Sequence, residues 1–472
     1  FGTEPLGRLL REQAIPASAG ILVMSIYGIV DTIFVGLWVG SLGIAAITVV
    51  QPITFFIASI GMAIGVGGSS IISRAFGKGD DKQAFRTFGN QVGMTLTLGV
   101  LFVVIGFIFI EPVLNLFGGR GDVTEPARVY FEIVLLGVPF LAWAMMSNNV
   151  IRAEGYPRVA MMVLVVPAIV NIILDPVFII WLELGIAGAA WATTLSYIAS
   201  AAFSTWFFRR GASQMSLTLN SLKPDIPILK EMFSLGSVTF ARQGTISLLS
   251  ILLNNSLFIY GGELGLSIYG IIGRLLMFTN FPVLGITQGF IPIVGYNYGA
   301  KLMDRVNRLI RLSITSATLI SFTIFLLIMI FAPWIVSVFT NDPDLIAQTT
   351  PALRKVFLAT PLLAINLIGG AYFQAIGRAK PAFILSLSKQ GFLLIPLILL
   401  LPLQFGIDGI WYAFPIADTG AALITAYYFK YRRNVNKMVD LENIDPDPDS
   451  ASKESDNEDT TPLQKPAETE DR

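Results

Sequence analysis

Twelve long apolar runs follow one another through this chain, at about 12–38, 45–73, 87–110, 127–150, 158–181, 186–208, 230–260, 267–297, 306–332, 349–373, 380–402 and 408–430. Each holds close to the roughly 20 residues that cross the hydrocarbon core of a bilayer. Within that core every backbone N–H and C=O must be bonded inside the protein, so runs of this length form helices. The expected fold is an all-α integral membrane protein with twelve transmembrane helices. Composition agrees, with 54% hydrophobic and 14% charged residues, where a soluble chain carries about 25% charged. Cysteine and histidine are absent. That excludes disulfides, thiol chemistry and histidine-ligated metals, and leaves carboxylates as the main carriers of any transported proton.

Lys and Arg gather in every second connection, among them Arg74, Lys78, Arg152, Arg158, Arg209, Lys223, Lys301, Arg305, Arg378 and Lys380. The alternate connections hold few, such as Arg120 and Arg128. The positive-inside rule then puts both termini in the cytoplasm of a multi-pass protein of the cell membrane. The two halves also resemble each other. Val39-Gly-Ser-Leu-Gly43 matches Gly261-Gly-Glu-Leu-Gly265, Phe76-Gly-Lys matches Tyr298-Gly-Ala, Arg152-Ala-Glu-Gly155 matches Gln374-Ala-Ile-Gly377, and Leu184-Gly-Ile-Ala-Gly188 matches Phe405-Gly-Ile-Asp-Gly409. Two six-helix repeats of the same orientation follow, forming two bundles related by a pseudo-twofold axis along the membrane normal. The expected domains are an N-lobe at 1–208, a cytoplasmic linker at 209–229, a C-lobe at 230–432 and an acidic tail at 433–472. That tail, around Asp445-Pro-Asp-Pro-Asp449, is too polar to bury a core and is expected to be disordered.

Against this apolar background two carboxylates stand out. Asp31 and Asp175 both lie inside spans, where a charge costs about 2.5–3.5 kcal/mol and usually marks function. Asn171 is four residues before Asp175 and shares its helical face. Pro176 has no N–H to give, so a kink is expected there. At 1.5 Å per residue Asp31, Asp175 and Thr193 each lie about 12–13 Å inward from the outer turns. Their common depth suggests one oxygen-lined site, with Tyr27 and Asn148 as further polar candidates in the same lobe. Oxygen ligands of this kind suit Na⁺, and a carboxylate pair equally suits protons. The plainer alternative, two separately bonded structural aspartates, leaves the shared depth unexplained.

The C-lobe has no such pair: the repeat puts Leu253 opposite Asp31 and the region of Leu397 opposite Asp175. Its spans hold Arg242, Arg274, Lys389 and Asp418 instead. Lys389 and Asp418 lie at similar depth on adjacent spans and are expected to pair. Arg242 and Arg274 are candidates for contact with an anionic group of a substrate, or for orienting the lobes.

Twelve spans in two repeats, Pro16 with Tyr27 and Asp31 on the first helix, and Asn171-x-x-x-Asp175-Pro with Thr193 together resemble the multidrug and toxic compound extrusion (MATE) transporters, in particular their prokaryotic DinF-like branch. The resemblance covers residues 5–432. It implies a cation-coupled antiporter, driven by H⁺ or Na⁺, that exports amphipathic drugs by alternating access through two six-helix bundles. It further implies that Asp31, Asn171, Asp175 and Thr193 hold the cation and that the first helix bends near Pro16. The sequence departs from the family pattern at Tyr27-Gly-Ile-Val and in its basic C-lobe interior. No catalytic residue and no cofactor beyond the coupling ion is implied. The implied partners are small amphipathic molecules and membrane lipid, not nucleic acid, with the chain acting as a monomer. The rival readings are a flippase or exporter of a lipid-linked or anionic metabolite precursor, an intramembrane aspartyl protease, and a non-transporting receptor.

Overall fold

The structure is a computed structural model that describes residues 1–117, 121–210, 212–215 and 221–442. Among the described residues it is helical throughout, without strands. The N-lobe comprises α1 (Leu6–Trp38), α2 (Ser41–Lys78), α3 (Asp81–Ile108, continued by Ile110–Leu116), α4 (Thr124–Ala153), α5 (Pro157–Trp181) and α6 (Gly185–Arg210). The C-lobe comprises α7 (226–261), α8 (263–299), α9 (Met303–Ser337), α10 (Pro343–Ala375), α11 (Ala379–Phe405) and α12 (Ile407–Glu442). The twelve expected spans thus each have their helix.

Three details differ from the sequence expectation. α7 and α8 are not separated by a loop: the backbone runs helical from Ile226 to Gly299 apart from Gly262, at φ 59° and ψ −152°. Only glycine takes that conformation without a Cβ clash, so one residue suffices for the reversal. At Pro176 α5 changes its winding, widening into a π turn over Pro176–Trp181 with the Leu182 N–H donating to the Val177 carbonyl. Finally, α12 runs to Glu442, into the stretch expected as tail. The rest of that tail, 443–472, lies outside the described residues. Residues 426–472 form a separate unit from 1–425.

The repeat is written into the backbone. Left-handed turn residues recur in pairs: Gly40 with Gly262, Gly79 with Lys301, Gly155 with Gly377, and Gly185 with Gly406. The first three pairs are 222 positions apart (262 − 40), the last 221 (406 − 185). Each lobe buries its own core, around Val50, Phe131 and Leu135 in one and around Leu253, Phe357 and Trp411 in the other. Large apolar side chains such as Ile173 and Leu400 stay exposed, as lipid-facing residues do. Trp38, Trp181 and Trp334, all near the same ends of their helices, are exposed too and form an interfacial belt.

The lobes meet along glycines, at the end of the bundle that carries Leu6, Lys78, Ile226 and Gly299 (the N-terminal face). A Cβ on Gly77 of α2 would collide with the Tyr296 carbonyl of α8, and one on Gly299 would collide with the Arg74 carbonyl of α2. Positions 74 and 77 correspond to 296 and 299 in the repeat, so this contact is its own mirror. The same reciprocity joins α7 to α2 and α8 to α1: a Cβ on Gly236 would lie 2.7 Å from the Ala63 carbonyl oxygen, and one on Gly285 would lie 2.8 Å from that of Ala14. Side chains reinforce the seam. Arg74 pairs with Glu231 at 2.7 Å, Ser70 donates to the Gln374 carbonyl at 2.8 Å, and Gln374 donates to the Leu235 carbonyl at 3.0 Å. Further along the bundle the lobes still meet at the Phe56–Phe240 ring contact, while an added Cβ on Gly28 or Gly244 would touch nothing.

Because the chain has no native thiol, a single introduced cysteine reports on this seam without background. Ser73→Cys, buried against Gly295, should resist maleimide in the otherwise native chain. Adding Gly77→Val should raise its labelling rate by at least about tenfold, because the branched side chain has no space and the seam must part.

Candidate cation site and central cleft

Four helices of the N-lobe each present polar groups at one level. α1 gives Tyr27 and Asp31, α5 gives Asn171 and Asp175, and α6 gives Thr193 and Tyr197, in every case one helical turn apart. α4 adds Tyr130. Their relative placement follows from tight helix packing. Gly20 of α1 meets Leu164 of α5, where a Cβ would lie 3.1 Å from the leucine Cδ1. Gly137 lets α4 approach α6 at Thr194, whose hydroxyl donates to the Ile133 carbonyl at 3.0 Å.

Asp31 is 8% exposed, Asp175 and Asn171 are fully buried, and Thr193 is 6% exposed. The Asp31 and Asp175 carboxyl groups lie within electrostatic reach of one another. Two carboxylates brought together away from water cannot both ionise cheaply, so the pair favours a shared proton or a cation between them. The Asn171 amide N–H donates to Asp175 Oδ1 at 3.5 Å. Around this centre Tyr27 stands beside Tyr197 and Tyr130 beside Thr193. Three buried oxygens are left without a donor: Asp31 Oδ1, Asp175 Oδ2 and Asn171 Oδ1. Buried acceptors left unmet cost about 1–3 kcal/mol each, which a proton or a cation among them would offset. The donor set holds only oxygen, which suits a hard monovalent ion or a proton. Among the described residues no three His, Cys, Asp or Glu side chains converge to make a multivalent metal centre.

The remaining sequence candidates lie elsewhere. Pro16 is buried within α1, which continues helical through it. Asn148 does not join the acid pair. Its amide donates to the Ala160 carbonyl and its oxygen receives Arg152 at 3.4 Å, near the N-terminal face. Lys389 and Asp418 form an ion pair, with side chains 17% and 7% exposed. Lys389 lies in a second π turn, Ser388–Leu394, so the fifth helix of each lobe widens beside an ionisable residue. Arg242 on α7 and Arg274 on α8 have neither a hydrogen bond nor an ion pair among the described residues. Sequence reasoning missed three groups. Tyr197 could have been found one turn after Thr193 on the same face. Tyr130 stood alone on its helix. Arg152, 3% exposed with its Nε unbonded, had been read only as a topology marker.

With the architecture and the site in view, comparison with known proteins is decisive for the family. The MatE family profile matches twice, over 16–177 and 238–400. The chain belongs to the MatE family. The two matches begin 222 positions apart (238 − 16), the spacing of the paired turns. Similar relatives include the multidrug export protein MepA of Staphylococcus aureus, 26% identical over 439 residues, covering 92% of this chain and 97% of the relative. MepA of Staphylococcus saprophyticus is 27% identical over 433 residues, covering 91% and 95%. Among solved structures, a MATE in the bent conformation superposes with TM-score 0.87 at 25% identity, covering 92% of this chain and 97% of the other. An outward-facing multidrug resistance MATE transporter gives 0.86 at 25%, with the same coverage. A Pyrococcus furiosus transporter described as having a binding pocket of reverse polarity gives 0.85 at 26%, again covering 92% and 97%. A MatE-family chain is a membrane transporter, and the protease and receptor readings have nothing further to rest on.

The Lys389–Asp418 pair offers a test of how charge is carried in the C-lobe. Lys389→Met alone should cost about 3–5 kcal/mol, because it strands a carboxylate in the bundle, whereas Lys389→Met with Asp418→Leu should recover most of that loss. Thermal unfolding of the purified proteins in one detergent reads both.

Proposed function

We propose that this MatE-family chain is a cation-coupled antiporter of the cell membrane, exporting amphipathic organic compounds by alternating access. One observation carries the reading: two carboxyl groups, Asp31 and Asp175, buried together inside the spans, which with Asn171 leave three acceptor oxygens that no donor of the described chain satisfies. An uncoupled channel or a receptor has no use for that arrangement, while a coupling site must bind and release a charge at just such a place. The relatives named as multidrug export proteins support the cargo.

On this reading the basic N-terminal face is cytoplasmic, and lobes held together at that face correspond to an outward-facing state. Coupling works as a competition. A proton or Na⁺ entering from outside binds among Asp31, Asn171, Asp175 and Thr193 and neutralises the pair. α1, which carries Asp31, then bends near Pro16, and the N-lobe surface that held the cargo is lost. The lobes next close outside and part along the glycine seam, and the cation leaves to the cytoplasm. The gradient does work only because the cation binds the two states with different affinities.

Proteoliposomes loaded with ethidium or norfloxacin, under a Na⁺ or a proton gradient imposed separately, test this directly. Efflux should follow one of the gradients and identify the ion. Asp31→Asn should reduce it to the level of liposomes without protein. Full gradient-driven efflux by Asp31→Asn would refute the coupling scheme. Absence of efflux under both gradients by correctly folded protein would favour the second reading, flipping of a lipid-linked or anionic precursor, for which the unpaired arginines of the C-lobe speak.

A further inference from the structure

α1 changes lobes along its length. Around Pro16 and before it, the helix lies on the C-lobe: a Cβ on Gly289 of α8 would fall 2.8 Å from that of Gln13, and Gly285 faces Ala14 and Ser18. From the N-lobe, Arg152 also reaches the Gln13 carbonyl there, at 3.5 Å. Past Pro16 the helix lies on its own lobe, with Gly20 against Leu164 of α5 and Asp31 in the acid site. α7 is built the opposite way round. Its start packs on α2 of the N-lobe, where a Cβ on Gly67 would collide with the Met232 carbonyl and one on Gly236 with that of Ala63. Its later residues Leu249, Leu253 and Leu257 are buried in the C-lobe core.

The segments leading into these two helices are held across the lobes as well. Arg305, near the start of α9, donates from Nη2 to the Phe1 carbonyl at 3.0 Å and to the Glu4 carbonyl at 2.7 Å, and from Nε to Asn297 Oδ1 of α8 at 3.0 Å. Asn297 is fully buried, and its amide donates to the Phe1 carbonyl at 3.4 Å. In the other half, Asn90 of α3 accepts the Asp225 N–H at 2.9 Å and donates to the Lys223 carbonyl at 3.3 Å. Each lobe's third helix thus grips the lead-in of the other lobe's first. The two straps differ at one point. Pro16 of α1 corresponds to Val238 of α7 (238 − 16 = 222), and α7 has no proline beyond its first turn. Proline leaves one backbone bond of the helix unmade, so α1 bends more cheaply here than α7 does.

We propose that Arg305 is a positioning residue of the transport cycle, keeping the start of α1 attached to the C-lobe while the rest of the helix moves with the N-lobe. A helix fixed at its two ends to two bodies passes any bend on to them, so a bend at Pro16 becomes a rotation of one lobe against the other. α7, held through Asn90 in the opposite sense and without the proline, is the stiffer second link about which they turn. The planar fork of arginine spans two carbonyls and an amide oxygen at once, which the point charge of lysine does not. This deepens the antiport reading by naming the residue that transmits the switch, and rests on it for the cation as trigger.

The full chain in nanodiscs carries nitroxides at Lys82→Cys and Lys380→Cys, two exposed positions on the N-terminal face of the two lobes, with no native thiol to interfere. Adding the coupling ion (a step from pH 8 to pH 5, or Na⁺) should lengthen the distance between the labels, read by double electron–electron resonance. Arg305→Gln should bind ethidium within about twofold of the native affinity, yet lose the lengthening and at least about tenfold of the efflux rate in proteoliposomes. Native lengthening and efflux in Arg305→Gln overturn the proposal. A parallel loss of ethidium affinity in folded Arg305→Gln makes the residue structural and overturns it too. Should Arg305→Gln not fold, Gly2→Cys with Leu302→Cys decides with Arg305 in place, since a Cβ on Gly2 would lie 3.8 Å from the Leu302 side chain. Locking the lead-in to the C-lobe by this disulfide should keep efflux within about twofold of the reduced protein, because the anchor stays closed through the cycle. Efflux lost on oxidation and restored by dithiothreitol overturns the proposal, as does failure of the two thiols to pair. Cation-driven lengthening without efflux of any drug defeats the export reading alone, whereas efflux that Arg305→Gln retains defeats the anchor alone. A native chain that shows no cation-driven change overturns both.

Discussion

Backbone against backbone at Gly77 and Gly299 is the contact on which the arrangement of the lobes depends. Two helices approach to the point where a single methyl group would collide with a carbonyl, and they do so reciprocally, each glycine against the partner's corresponding turn. Lipid gives helices no hydrophobic reason to associate, so close packing and hydrogen bonds must do it. Glycine supplies the first, and Ser70, Arg74 and Gln374 supply the second. Because these contacts gather at the N-terminal face, the placement of the small residues decides at which end the lobes are locked together.

The repeat that built this seam has diverged in chemistry. Turn positions such as Gly40 and Gly262, or Gly155 and Gly377, keep their conformation because a reversal at the membrane surface constrains the backbone alike in both halves. Lys301 takes the left-handed conformation of Gly79, which shows that even there the geometry outlasts the residue. Side chains inside the spans had no such constraint. Leu253 is buried where the first half has Asp31, and the C-lobe instead carries arginines without partners. The outcome is one repeated fold whose two halves carry different charged groups within their spans.

What the sequence made legible divides along the same line. Span number, repeat and the polar level of Asp31, Asn171, Asp175 and Thr193 could be read because each depends on periodicity and length, which are local. Contacts that depend on how one helix turns against another could not. Asn148 had the right lobe and the wrong depth, held by Ala160 and Arg152 at the N-terminal end. Tyr130 joins the site only because Gly137 draws α4 against α6. Proline's missing donor marked Pro176 as an irregular point in its helix; that the irregularity would be a π turn leaves no mark in the sequence.

α1 ties these features together mechanically. It carries Asp31 at the acid pair and, on its other half, Gln13, Ala14 and Ser18 against Gly285 and Gly289 of α8. Some fifteen residues, or about 20–25 Å of helix, separate the two regions, with Pro16 and its missing hydrogen bond at the seam end. A straight α1 is a rod, and a shift at Asp31 is felt at the seam. A bend at Pro16 costs less than one elsewhere, since no backbone bond has to break there. In the proposed scheme the proline lies where a bend would release the two regions from register, and the ionic state of the carboxyl pair about two-thirds of a membrane away would bias it. For coupling this is sufficient in principle: a single element with two arrangements, biased at one end by charge and at the other by packing.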